Sequence, residues 1–168
     1  MEASLKKFMK TGTLGDVQCG LSRIDVAAMF GKPDGWLGIP GTLGTPAPVG
    51  SALSWNYGDL AFRFRDRGEK LTSITLNLDG GFKNSHIEII DFDFDVKTTQ
   101  KDLLEWMDFN GIKYQSSPDG MPPVYLSEGD VEIVGKPYIY EIAYDDQMLA
   151  RQPNKEAVAL ISKAKNKT

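Results

Sequence analysis

One cysteine and one histidine are all that the 168 residues hold of the side chains most used in redox, metal and nucleophilic chemistry. A lone Cys19 cannot close an internal disulfide, so nothing in the cysteine usage asks for an oxidising compartment. Its expected role is that of a small buried hydrophobe. A lone His86 has no second histidine for a metal site and no G-x-S-x-G partner for a triad, and reads as a surface or loop histidine. No apolar run approaches the roughly 20 residues of a membrane helix. The opening MEASLKKFMKTG lacks the apolar stretch of a secretory signal. The expectation is a cytoplasmic protein with no membrane partner. Clustered basic residues are also missing. The net charge is −4 and the pI about 5.0, which argues against a nucleic-acid partner.

Glycine is plentiful but not in a phosphate-binding order. Gly35, Gly38, Gly41 and Gly44 recur every three residues, without the spacing of a P-loop or a dinucleotide fingerprint. No pair of carboxylates stands apart for glycoside chemistry. Asp91-x-Asp93-x-Asp95 imitates part of a calcium loop, but the sixth position, which needs glycine, is Val96. These aspartates are expected on the solvated face of a strand. With no catalytic, metal or cofactor signature, the chain is expected to be non-enzymatic and to need no cofactor.

What the sequence does carry is architecture. Ser4–Lys10 has Leu5, Phe8 and Met9 at helical spacing, and Gly12 ends it. Ser22-x-x-Asp25 opens a second helix running to Phe30, with Gly31 and Pro33 as stops. Its apolar residues Ile24, Val26, Ala27, Ala28, Met29 and Phe30 are expected to form a wide buried stripe. Thr99-x-x-Asp102 repeats the box before a helix to Phe109 that buries Leu103, Leu104, Trp106 and Met107. Strands are expected at 54–57, 60–65, 71–79, 87–96, 112–115, 124–126, 131–134 and 138–144. Several alternate cleanly: Leu60, Phe62 and Phe64 oppose Ala61, Arg63 and Arg65, as in a half-buried antiparallel sheet. A C-terminal helix is expected after Pro153.

Three features recur in order. Ser22-x-x-Asp25 matches Thr99-x-x-Asp102, Gly58-Asp59-Leu60 matches Gly129-Asp130-Val131, and the strand ending at Asp79 matches the one ending at Asp145. The expected fold is therefore α+β. Two tandem helix-plus-three-strand units, at about 20–79 and 99–146, form a mostly antiparallel sheet with helices on one face. The whole of 1–168 is one compact domain, because a single unit buries too little surface to stand alone.

At Gly20-x-Ser22-x-x-Asp25-Val26-x-x-x-Phe30-Gly31-x-Pro33, followed by Trp55-x-Tyr57, the first half resembles the repeat unit of the β-lactamase-inhibitor-protein family. It is also similar to the small outer-membrane lipoproteins of the SmpA/OmlA (BamE) type. The resemblance covers Gly20–Asp79 and, more faintly, Thr99–Asp145. It implies tandem units whose concave sheet grips another protein. The chain has neither a lipid-attachment cysteine behind a signal peptide nor the cysteine pairs of the secreted inhibitors. The implied relative is a cytoplasmic immunity-type protein, acting on a toxin or enzyme.

The Gly- and Pro-rich stretch 34–53 is too apolar for a linker. Trp36, Leu37, Ile39 and Leu43 lie in it, and Trp55 and Tyr57 begin the strand beyond. Aromatic and apolar anchors of this kind mark protein interfaces. These six residues are the expected binding site, with satellite core as the competing reading of the loop. The partner is expected to be another protein, the alternative function being a small-molecule or peptide-binding module.

Overall fold

A computed structural model describes residues 1–37, 52–64, 70–78, 82–95, 97–116, 124–135 and 139–145. Along the chain run β1 (Glu2–Ala3), α1 (Leu5–Thr11), α2 (Arg23–Phe30), β2 (Gly35–Leu37), β3 (Ser54–Tyr57), β4 (Leu60–Phe64) and β5 (Leu71–Asn77). There follow β6 (Glu88–Ile89), α3 (Gln100–Phe109), β7 (Tyr114–Ser116), β8 (Val124–Ser127), β9 (Val131–Gly135) and β10 (Ile139–Asp145). The fold is α+β. Eight strands make one antiparallel sheet in the order β2-β3-β4-β5-β10-β9-β8-β7. Its centre is the β5–β10 pair, and an antiparallel meander runs outward on each side. Each side has four strands, with β2 and β7 at the edges. The expected C-terminal helix lies outside the described residues.

Alternation sets the two faces of the sheet. One cross-strand row carries Tyr57, Leu60, Leu76, Ile142, Ile133 and Tyr125. The next row begins Trp36, Trp55, Phe62 and Ile74. The opposite face carries Asn56, Ala61, Thr75 and Ala143 in one row and Ser54, Arg63 and Ser73 in another. A bulge between Arg63 and Phe64 leaves Thr72 extra, its hydroxyl donating to the Arg63 carbonyl at 3.1 Å. That shift lets Leu71 and Ile74, three residues apart, both reach the core.

The three helices among the described residues touch the apolar face. The ring of Phe30, on α2, lies 5.1 Å from that of Phe62 and 5.2 Å from that of Tyr57. Met9, on α1, accepts at its carbonyl from the buried Ser127 hydroxyl at 2.6 Å. The Tyr114 hydroxyl, on the same face as Ser127, donates to Asp108 of α3 at 3.4 Å. Both expected boxes form. The Ser22 hydroxyl accepts from the Asp25 amide while Asp25 accepts from the Ser22 amide, and Thr99 and Asp102 do the same. The bonds from Ser22 and Thr99 hold both carboxyls below the ordinary aspartate value.

Four expectations change. The strand expected at 87–96 is only Glu88–Ile89, pairing in parallel with β1. Its aspartates do not line a strand face: Asp93 and Asp95 are exposed on irregular chain, and Asp91 is drawn away to α1. Asp91 caps α1, accepting from the Ser4 hydroxyl at 2.7 Å and from the amides of Leu5 at 2.7 Å and Lys6 at 3.1 Å. Asp95 accepts from the Lys97 amide at 2.7 Å in a local turn. The stripe on α2 is narrower than expected: Arg23, Val26 and Phe30 face inward and Ile24 and Met29 face water. The two Gly-Asp turns differ in cause. Gly58 takes a positive φ of 57° in a two-residue hairpin, whereas in the second turn Asp130 has φ 59°. Gly129 is there because the backbone of α1 lies against it. Finally, Cys19 is half-buried rather than in the core.

Candidate protein-binding surface

Of the six expected binding residues, the structure divides four between core and surface. Trp55 is 4% and Tyr57 0% exposed, both on the helical side of the sheet. Trp55 packs against Phe64, ring centroids 5.0 Å apart, and the Arg23 guanidinium lies over both rings. These two residues are therefore core rather than a surface patch. Trp36 pairs with Trp55 on the same face and is half-buried against the core. Leu37 alternates to the other face and is 65% exposed. Ile39 and Leu43 lie outside the described residues. At the sheet edge the Leu53 amide donates to the Leu37 carbonyl at 2.9 Å.

What fixes this end of the sheet is a polar knot around the buried Tyr57. The Tyr57 hydroxyl donates to the Gly31 carbonyl at the end of α2, 3.0 Å away. Burial, and then the nearby Asp34 carboxylate, push that phenol up to about 12, so it stays a neutral donor. Asp34 accepts from the Gly58 amide at 2.8 Å and lies 3.6 Å from the His86 imidazole. His86 packs on Tyr57, ring centroids 5.3 Å apart. Asn84 donates to the Tyr57 carbonyl and accepts from the His86 amide. These bonds and ring contacts tie the helix, the hairpin and the 82–88 segment together. No group of three or more acidic, histidine or cysteine side chains fit to hold a metal lies among the described residues.

Compared with protein-family models, with curated proteins and with solved structures, the chain matches none. The site is therefore judged on its geometry. Rigidity beneath and apolar side chains above meet on α2. Its inward positions are Arg23, Val26 and Phe30. Arg23 holds one of them because its guanidinium stacks 4.0 Å from the Phe64 ring and donates to the Ala52 carbonyl at 2.7 Å. With that rotation fixed, Ile24 is 80% and Met29 40% exposed, and Ala28 is exposed one turn after Ile24. On α3 the outward residues are Lys101, Asp102, Glu105 and Asp108, with Phe109, 90% exposed, at the last position. The two helices share a capping box; α2 leaves apolar side chains in water along its length, and α3 only at its end. The sequence signal for this was present: six of the eight residues of α2 are apolar, more than a stripe of roughly 100° can bury.

Proposed function

We propose that the chain is a non-enzymatic protein-binding domain, an inhibitor or immunity factor that docks on its partner through the outer face of α2. The observation that carries this reading is a helix with six apolar residues in eight, of which Ile24, Ala28 and Met29 are left in water around the exposed Asp25. That is more apolar surface than one buried stripe accounts for. Burying an isoleucine is worth about 1.5–3 kcal/mol, enough for Ile24 to anchor an interface. The capping box and the Tyr57–Gly31 bond hold α2 in place, so little ordering entropy opposes docking.

Two coarser features fit the same reading. No helix among the described residues is long and apolar enough to cross a membrane. The strand order, mirrored about β5–β10, and the paired capping boxes support two tandem units at about 20–79 and 99–146 within one domain. We place the protein in the cytoplasm on its lone cysteine and acidic charge. The test is site-specific photo-crosslinking in the native cell, with the photoreactive residue at 24, 29 or, as a control, 105. A single protein joined at 24 and 29 and not at 105 is expected. The same products from all three positions, or none from 24 and 29, would refute α2 as the docking face.

A further inference from the structure

A cavity of about 610 Å³ opens between β1, β6 and the 82–94 segment, away from the outer face of α2. Its volume is in the range of small-molecule sites, about 300–1,000 Å³. Three exposed carboxylates line it, Glu2, Glu88 and Asp93, and among the described residues no lysine or arginine does. Two of the three are forced together: Glu2 and Glu88 are register partners in the β1–β6 pair. That register is pinned by the Glu88 amide donating to the Met1 carbonyl at 2.8 Å and the Ile90 amide to the Ala3 carbonyl at 3.0 Å. Like charges side by side on neighbouring strands destabilise the pairing, unless a cation lies between them. Phe82, Phe92 and Phe94 form an aromatic part of the wall, beside Asn84, Ser85 and His86. The Phe92 and Phe94 rings are tilted against each other with centroids 4.6 Å apart, and Phe92 is braced by Trp106 at 5.1 Å. Ring faces attract cations that carboxylates have already drawn in. Among the described residues the positive group at the rim is the Met1 ammonium, which donates to the His86 carbonyl at 3.0 Å, leaving the three carboxylates in excess.

We propose that this cavity binds an alkylammonium or guanidinium group, brought by a free diamine or by a lysine or arginine side chain of a protein. The carboxylates supply charge-assisted hydrogen bonds, the backbone carbonyl of His86 shows the acceptor direction, and Phe92 and Phe94 cover the alkyl stem. The site stands on its own residues and does not depend on the outer face of α2.

Calorimetric titration and the ring resonances of Phe92 and Phe94 test it. The probes are putrescine and N-acetyl-lysine methylamide, with the Nε-acetylated lysine derivative as the uncharged control. Saturable binding of a charged probe is expected, with both phenylalanine rings shifting and no response to the acetylated control. The double variant Glu2→Gln/Glu88→Gln should weaken binding at least tenfold. Asp16→Asn/Glu105→Gln removes the same charge from exposed positions elsewhere and should leave it unchanged. Asp93→Asn provides an independent single substitution at an exposed position, and should weaken binding as well. Tighter binding of putrescine assigns the site to free diamines, and tighter binding of the lysine derivative assigns it to protein side chains. Unsaturable uptake, equal loss in the two double variants, or equal binding of the acetylated control would overturn the proposal.

Discussion

Gly129→Ala should loosen the N-terminal helix from the body of the protein. A Cβ built at Gly129 would sit 2.4 Å from the carbonyl carbon of Lys10, 2.5 Å from the Thr11 nitrogen and 2.6 Å from the Met9 oxygen. All three are backbone atoms, so no side chain can swing aside. Ordinary contact begins near 3.4 Å, and the last turn of α1 must therefore retreat by about 1 Å. That retreat strains the bond from the Gly129 amide to the Met9 carbonyl, now 3.0 Å, and the one from the Ser127 hydroxyl, now 2.6 Å. Overpacking of this kind costs about 1–3 kcal/mol, and two weakened hydrogen bonds add about 1 kcal/mol each. We expect a loss of about 3–5 kcal/mol in urea unfolding followed by tryptophan fluorescence, and a fall in Tm of roughly 6–20 °C. Ser127→Ala alone should cost about 1 kcal/mol but add little on top of Gly129→Ala, because its bond is already strained. A cost for Gly129→Ala below about 1 kcal/mol, or strict additivity with Ser127→Ala, would refute the close docking of α1.

Two further outcomes follow from the caps. Asp91→Ala removes the acceptor for three donors at the start of α1, and should cost about 2 kcal/mol and speed amide exchange in α1. Asp93→Ala, exposed and two residues on, should stay within about 0.5 kcal/mol, and equal effects would contradict the capping role. The acid limb of the stability curve should depend on Asp25 and Asp102, whose folded values lie below the ordinary 3.8. Their contribution is present above that value and is lost as pH falls through the lower folded values. Asp25→Asn/Asp102→Asn should therefore flatten the stability profile below about pH 4, and an unchanged slope there would count against the boxes.

Local chemistry was the legible part of this chain. Ser22-x-x-Asp25 and Thr99-x-x-Asp102 specify their helix starts through bonds made within three residues. Alternation in Leu60–Phe64 and Leu71–Asn77 specifies strands and faces together. What escaped depends on partners far along the chain. Gly35–Leu37 has the composition of a loop and becomes β2 because Trp36 finds Trp55 across the ladder. The 87–96 segment alternates like a strand, yet Asp91 is claimed by α1, 85 to 87 residues away in sequence. The site was half legible for the same reason. Trp55 and Tyr57 have the composition of an interface, but their parity in β3 turns them toward α2. The rotation of α2, and so the exposure of Ile24, depends on where the Arg23 guanidinium lands.

The most direct measurement on the proposed function is the affinity of the partner captured at position 24 for wild type and for Ile24→Asp, set beside their unfolding midpoints. Ile24 is 80% exposed, so the substitution should change stability by less than about 0.5 kcal/mol. As an interface anchor it should weaken binding by about 2 kcal/mol or more, roughly thirtyfold. Unchanged affinity at unchanged stability would contradict the assignment of α2 as the docking face.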